Sequence, residues 1–180
     1  LVVRSENIYG ECLTGMLQNA MKYVTKGEST VCGYYVNDRE RSGVSEVDED
    51  GNVNSIEERP SAQRWNLEVV GLYLYTNDVV QITKKIKPSH RGELEITSVN
   101  QEYLKQKNLK VELLGRGFAW LDTGTHDSLM EAGQFVETIE KRQGLKVACL
   151  EEIAFRMKYI DAAQVKKLEE PLKKNGYGQY

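Results

Sequence analysis

Hydrophobic positions recur along this chain with two periods, one typical of helices and the other of strands. Apolar side chains spaced three and four residues apart in 11–26 and 127–142 predict amphipathic helices, which end at Gly27 and Gly144. Runs that are rich in β-branched or aromatic residues, or that alternate, predict strands at 29–36, 67–75, 109–114 and 118–121.

Turn and cap signals define the remaining elements. An Asp-Gly dipeptide at 50–51 separates two strand-like segments, 43–47 and 53–57, and is typical of a β-hairpin. Asp161, with Gln164 three residues later, has the pattern of a capping box at the start of a helix. Further helices are predicted at 77–86, 93–106 and 150–158. Because strands alternate with helices, the sequence predicts an α/β fold with a mixed sheet and flanking helices.

The chain begins with an apolar run, Leu1-Val2-Val3, that no methionine precedes. Such a run predicts a strand over residues 1–4 that is buried on both faces inside a parallel sheet. We therefore expect that the N-terminal part of the fold is incomplete and that further residues precede Leu1 in the full protein.

Composition excludes several classes of function. The 24 basic and 27 acidic residues give a net charge of −3, so the sequence predicts neither a nucleic-acid nor a membrane partner. No apolar run is long enough to span a membrane, and we expect a cytoplasmic protein. The 3 cysteines form no Cys-x-x-Cys pair and only 2 histidines occur, which argues against a zinc centre and predicts buried, reduced thiols.

The candidate chemistry centres on Asp122, which follows an apolar run and precedes a glycine turn at Gly124. Strand ends of α/β sheets are where ligands bind. One carboxylate can hold Mg²⁺ when phosphate oxygens supply the other ligands, because this ion takes only one or two protein carboxylates. From spacing alone, the commoner role of such an aspartate is to cap a turn.

Three other segments have both a functional and a structural interpretation. Glu58 and Arg59, at a strand end, can bind sugar hydroxyls and phosphate, or form an ordinary solvated end. Arg91 and Glu93 precede a helix, where they can bind an anion or provide acidic capping. The aromatic residues in 71–75 can line a sugar site, although core packing is the commoner explanation.

Several segments together resemble glucose-1-phosphate thymidylyltransferase, also called dTDP-glucose pyrophosphorylase. The segments that carry the resemblance are 71–73, 91–97, 115–125, 143–154 and 175–178. The similarity runs along essentially the whole chain and covers the later part of the family's enzyme. It implies a nucleotidyltransferase-like, Rossmann-like fold, in which 1–144 is the sugar-binding and metal-binding part and 145–180 is a C-terminal helical oligomerisation segment.

The resemblance also implies a reaction and its partners. In that family, a phosphate oxygen of glucose 1-phosphate attacks the α-phosphorus of dTTP, which gives dTDP-glucose and pyrophosphate. Positioning and charge neutralisation dominate such transfers, and Mg²⁺ bridges the phosphates. We accordingly expect Mg²⁺ as cofactor, dTTP and glucose 1-phosphate as substrates, and a homo-oligomer, either a dimer or a tetramer.

Site residues follow from the match to the family's motifs. Asp122 matches the second of two metal carboxylates; the first falls on Ser5 without a gap, or on Glu6 with a one-residue shift, and Glu6 is the candidate ligand. Arg91 is the candidate catalytic residue, in a loop that closes near the sugar phosphate. The implied substrate-binding residues are Gly43, Glu58, Arg59, Asn66, Val69, Tyr73, Glu93 and Trp120.

The chain departs from the family pattern at several positions. The family's glycine-rich nucleotide loop has no counterpart in residues 1–180, Arg59 replaces a lysine, and Leu67 replaces an aromatic residue. We therefore expect that this chain alone does not transfer nucleotides. One alternative is a degenerate relative that acts as a sugar-nucleotide-binding or assembly module, and another is a relative that uses a different nucleotide or sugar.

Overall fold

The structure is a computed structural model of the 180-residue chain, and it describes residues 1–10, 12–36, 44–48, 52–57 and 66–180. The chain divides into two compact units, Leu1–Thr123 (unit 1) and Gly124–Tyr180 (unit 2). The predicted boundary at 144/145 divides functions rather than compact units, and it stays a prediction.

Unit 1 contains most of the strands that the sequence predicts. Its elements are β1 (Val2–Val3), β2 (Asn7–Tyr9), α1 (Thr14–Thr25), β3 (Ser29–Tyr35), β4 (Val44–Val47), β5 (Val53–Glu57), β6 (Leu67–Leu74), α2 (Val79–Thr83), α3 (Ile96–Lys105), β7 (Leu109–Leu113) and β8 (Trp120–Asp122).

The main sheet is mixed, as predicted. Its strand order is β5-β4-β6-β3-β7, and β1 pairs with β6 beside this path. β3 and β7 are parallel, whereas the other pairs in this sheet are antiparallel. The antiparallel pairing of β4 with β5 agrees with the predicted hairpin, whose Asp-Gly turn at 50–51 lies outside the described residues.

The central strand β6 organises two hydrophobic layers, because successive side chains of a strand point to opposite faces. Its odd-numbered side chains pack in a core cluster with α3: Leu67, Val69, Tyr73, Val99 and Tyr103. Its even-numbered side chains pack in a second cluster with α1: Val70, Leu72, Leu74 and Ala20. Every residue of β6 is buried, as its nearly continuous apolar sequence predicts.

Three predictions about unit 1 need correction. The prediction that the first strand is buried in a parallel sheet is wrong, because β1 is antiparallel to β6 and Val2 and Val3 are about half exposed. The strand predicted at 118–121 begins two residues later and ends one residue later, so Asp122 is its last residue rather than its successor. The helix predicted at 77–86 spans only Val79–Thr83.

Unit 2 consists of helices with well-formed ends. They are α4 (His126–Gln143), α5 (Leu150–Arg156) and α6 (Ala162–Glu169). The predicted capping box is confirmed, because the Asp161 side chain accepts from the Gln164 N–H while Gln164 bonds back. Thr125 and Ser128 form a second capping box, and Gly144 ends α4 at φ 71°, as expected for a C-terminal glycine.

The cysteines agree with the predicted reduced state. All three are thiols outside disulfides; Cys32 and Cys149 are buried as predicted, whereas Cys12 is exposed. In the described part of the chain, none of the helices has the length and apolarity that a membrane crossing requires.

Candidate functional site

Strands β2 and β8 form a separate two-stranded antiparallel sheet, called here the β2–β8 ribbon. Asn7 lies opposite Asp122, and Tyr9 lies opposite Trp120. One step beyond the ladder, the Glu6 carbonyl accepts bonds from the Thr123 N–H at 2.8 Å and from its hydroxyl at 2.9 Å. The two candidate metal-binding residues, Glu6 and Asp122, therefore lie at the same end of the ribbon backbone.

The Glu6 carboxylate has a cationic neighbour at this end. Its Oε2 lies 3.2 Å from Arg4 Nη2, and both side chains are about half exposed. An exposed ion pair of this kind contributes little to stability, because water screens it. Glu6 can consequently exchange Arg4 for another positive partner at small cost.

Asp122 and Glu6 have the donor chemistry that a magnesium site completed by phosphate requires. Asp122 and Glu6 offer only carboxylate oxygens, the ligands that Mg²⁺ prefers, and this ion usually takes one or two of them. Among the described residues there is no group of three or more His, Cys, Asp or Glu side chains that could hold a metal ion by itself. A bound cation here would need oxygens from a ligand.

Trp120 is held firmly in place on β8. Its indole Nε1 donates to Asn7 Oδ1 at 2.9 Å. Its ring meets the Tyr34 ring edge-on, with centroids 5.9 Å apart. The Tyr34 hydroxyl in turn donates to the Phe118 carbonyl at 2.8 Å. These contacts join the ribbon to β3 and fix the direction of the indole.

The loop before α3 brings Arg91 and Glu93 together, as their spacing suggests. Arg91 Nη2 lies 3.1 Å from Glu93 Oε2, and Nη1 lies 3.8 Å from Glu95 Oε1. Ser89 holds the loop, because its hydroxyl donates to Glu95 and accepts from the Arg91 N–H. The guanidinium is therefore aimed by two carboxylates and remains about one-third exposed.

The candidate sugar-pocket residues of β6 differ in exposure. Asn66 is exposed, just before the strand, whereas Val69 and Tyr73 are buried in the core cluster under α3. The Tyr73 ring stacks on Tyr75 with centroids 5.8 Å apart. This burial is what core packing requires, and the predicted sugar contacts of the three residues stay predictions.

Three predicted substrate-binding residues, Gly43, Glu58 and Arg59, lie outside the described residues. Sequence reasoning also missed one element, the strand Asn7–Tyr9, and with it the pairing of Asn7 with Asp122. Its only sequence signal was the polar–apolar alternation of Asn7 and Ile8 before Gly10, which is too short to be distinctive.

Comparisons with known proteins place this geometry in context. The sequence profile of the family described as nucleotidyl transferase matches residues 1–139. The chain is 51% identical over 180 residues to a glucose-1-phosphate thymidylyltransferase of Xanthomonas campestris pv. campestris (strain B100), covering 99% of this chain and 60% of that protein. It is 47% identical to the enzyme of that name from Neisseria gonorrhoeae, covering 100% of this chain and 62% of the relative.

Solved structures agree with these sequence relatives. A crystal structure described as a glucose-1-phosphate thymidylyltransferase from Bacillus anthracis, in complex with a sucrose, superposes with a TM-score of 0.65 at 33% identity. The match covers 74% of this chain and 52% of that one. A UDP-glucose pyrophosphorylase complexed with UDP-glucose, 22% identical with a TM-score of 0.65, shares the fold; the match covers 76% of this chain and 55% of that one.

The family assignment rests on the larger part of the chain. The profile match extends through all of unit 1 and into α4, and thus includes the β2–β8 ribbon and the Arg91 loop. The chain spans about 60% of the length of the relatives that it matches. The chain therefore belongs to the nucleotidyl transferase family.

Proposed function

We propose that this chain serves the transfer of a thymidylyl group from dTTP to glucose 1-phosphate, which yields dTDP-glucose and pyrophosphate. Support comes from the Xanthomonas campestris relative named glucose-1-phosphate thymidylyltransferase, which is 51% identical over 180 residues. The observation that carries the proposal is that the pairing of β2 with β8 puts Glu6 and Asp122 next to each other along the backbone at one end of the ribbon.

In the proposed reaction a phosphate oxygen of glucose 1-phosphate forms a bond to the α-phosphorus of dTTP. The bond from that phosphorus to the bridging oxygen breaks, and pyrophosphate leaves with the electron pair. A bound Mg²⁺ supplies neutralisation of the phosphate charge. Positioning is the protein's main contribution to such transfers.

The chain's residues take separate roles in this proposal. Asp122 and Glu6 hold the cation, and the Arg91 guanidinium binds the sugar phosphate by charge-assisted hydrogen bonds. Glu93 aims Arg91, since their side chains are 3.1 Å apart. The Trp120 side chain lines the sugar site. The remaining sugar contacts fall to Gly43, Glu58, Arg59, Asn66, Val69 and Tyr73.

Calorimetric titration with dTDP-glucose in Mg²⁺ tests the site. We expect binding that chelation by EDTA abolishes and that Asp122→Asn weakens at least about tenfold, because even outer-shell partners of a metal are worth 10- to 100-fold. Glu131→Gln, which neutralises an exposed carboxylate on α4, is the matched control and is expected to bind as the wild type does. Equal affinity of Asp122→Asn and wild type would remove Asp122 from the site.

A second candidate function is a binding or assembly module without turnover. The residue at position 6 favours it, because a glutamate in place of the family's aspartate reaches one methylene farther and the octahedral geometry of Mg²⁺ tolerates little displacement. Pyrophosphate release from dTTP and glucose 1-phosphate separates the two functions. Turnover by the full-length protein supports transfer, whereas dTDP-glucose binding without turnover supports the module.

We also propose that the chain forms a homo-oligomer through 145–180 and works in the cytoplasm. Large apolar side chains in this segment are exposed, among them Leu150 at 72% and Met157 at 58%. Such exposure is typical of surfaces that another chain covers. The three thiols suit a reducing compartment. Light scattering of the Leu150→Gln variant tests the interface, and an unchanged mass would count against it.

A further inference from the structure

Gly71 of β6 lies where the β2–β8 ribbon meets the main sheet. Its carbonyl accepts from the Arg4 N–H at 2.9 Å, just before the chain turns into β2. A Cβ added at Gly71 would lie 2.7 Å from Asn7 Nδ2 and 3.0 Å from Arg4 Cβ. A distance of 2.7 Å is shorter than side-chain carbons tolerate, so the close approach depends on the missing side chain.

Asn7 transmits this contact to the ribbon end. Its Nδ2 faces Gly71, its Oδ1 accepts the Trp120 indole N–H at 2.9 Å, and its backbone lies opposite Asp122. Two residues on, the Tyr9 hydroxyl donates to the Val70 carbonyl. Asn7 and Tyr9 point to the same side of β2 and seat the ribbon on adjacent residues of β6.

We propose that Gly71 is a positioning residue: by carrying no side chain, it lets Asn7 seat the ribbon at the depth that orients Trp120 and Asp122. The part of its test that measures cation affinity rests on the proposed function, whereas the part that measures the indole resonance of Trp120 does not. Gly71 touches neither substrate nor metal in this proposal and acts chiefly through Asn7, the side chain nearest to the added Cβ.

Backbone conformation gives a competing reason for the glycine, and the chain offers a control for it. Gly71 has φ +71°, where any side chain is strained. Gly27, after α1, has φ +89°, and nothing lies within 4 Å of a Cβ built there. Gly27→Ala therefore isolates the strain, whereas Gly71→Ala adds the collision with Asn7.

The experiment follows two signals in the same variants. Nuclear magnetic resonance reports the indole N–H of Trp120, assigned against the other tryptophan with Trp65→Phe. Electron paramagnetic resonance measures Mn²⁺ affinity in the presence of glucose 1-phosphate. We expect Gly71→Ala to displace the Trp120 resonance and to weaken Mn²⁺ binding about tenfold, as loss of an outer-shell support does. Gly27→Ala is expected to change neither signal.

Asn7→Ala keeps the test decisive if Gly71→Ala does not fold, since it removes the acceptor without altering β6. We expect the same two changes from it. The double variant should bind Mn²⁺ no more weakly than Asn7→Ala, because both substitutions act on one contact. An unmoved Trp120 resonance in Gly71→Ala or in Asn7→Ala overturns the proposal, as does additive loss of affinity in the double variant.

A failure of the proposed function gives a different result from a failure of the positioning role. If Asp122→Asn leaves Mn²⁺ affinity unchanged, the metal role of Asp122 is wrong. A displaced Trp120 resonance in Gly71→Ala still supports the positioning role in that case.

Discussion

The two compact units differ in how far they bury their apolar side chains. Unit 1 buries them in two layers around β6, where Leu72 and Tyr73 are 1% and 2% exposed. In the described chain, the buried apolar residues of unit 2 are Ala132 and Cys149, while Leu150 and Tyr159 are 72% and 74% exposed.

Polar contacts also hold the helices of unit 2. Capping boxes close α4 and α6 at their N-termini. The hydroxyls of Tyr177 and Tyr180 donate to Glu151 and Glu152. Because hydrophobic burial dominates folding free energy, unit 1 should be the more stable unit and unit 2 the one that opens first.

The largest test of this contrast is a matched pair of leucines. Leu72→Ala removes a side chain that is 1% exposed, and we expect it to lower the free energy of unfolding by about 2–5 kcal/mol. Leu168→Ala removes one that is 45% exposed on α6, and we expect a loss of at most about 1 kcal/mol. Urea unfolding followed by circular dichroism measures both, and equal losses would contradict the contrast.

The cysteines measure local opening of each unit directly. Burial raises the pKa of Cys32 to about 12, with a further contribution from Glu112, so this thiol reacts only after unit 1 opens. Cys149 is buried in unit 2, and Cys12 is exposed. We expect iodoacetamide to label Cys12 first and Cys149 next. Cys32 should follow at least about tenfold more slowly than Cys149, since 1.4 kcal/mol in opening free energy is tenfold in population.

Peptide mapping by mass spectrometry gives the three labelling rates in one sample. Guanidinium at a concentration that unfolds the whole chain is the control, because there the burial of Cys32 and Cys149 is lost. Labelling of Cys32 and Cys149 at one common rate in native buffer would mean that the two units open together.

Sequence predicted the elements of unit 2 better than the site of unit 1, for a physical reason. A capping box such as Asp161 and Gln164 is local, so four residues of sequence contain all of its partners. The bond from Trp120 to Asn7 joins residues 113 apart, and no local period reports it. The pairing of Asn7 with Asp122 was therefore visible only through the fold.

Exposure of β1 was missed for a similar reason. The apolar character of Val2 and Val3 is a property of the residues, whereas their burial depends on whether a second layer covers them. The positions of Asp122 and Arg91 made them candidates, but their roles came from the resemblance to a family, because a motif relates residues that hydrophobic periodicity does not connect.

A smaller effect is expected from the cap of α6. Asp161→Ala removes the acceptor of the Gln164 N–H, bonded at 2.8 Å, and should cost about 1 kcal/mol. Asp161→Asn is the control, because asparagine caps helices as well as aspartate does. Thermal unfolding by circular dichroism compares them. Equal melting temperatures for the alanine and wild-type chains would show that the cap is not needed.

The smallest expected effect concerns the end of α4 and its dependence on pH. The hydrogen bond from Lys146, with Nζ 2.6 Å from Glu140 Oε2, lowers the pKa of Glu140, and the Val147 N–H adds to this. A carboxyl group whose folded pKa lies below its unfolded value of about 4.3 contributes stability above that pH and loses it as the pH falls through the folded pKa.

The stability difference between wild type and Glu140→Gln should therefore be constant from about pH 7 to pH 5 and shrink below about pH 4. Glu137→Gln is the control on the same helix, because its pair with Lys141 is exposed and contributes little. Urea unfolding at pH 7, 5 and 3.5 measures the differences. A Glu140→Gln difference that grows on acidification would reverse the sign of the pKa shift and show that Lys146 does not stabilise the ionised carboxylate.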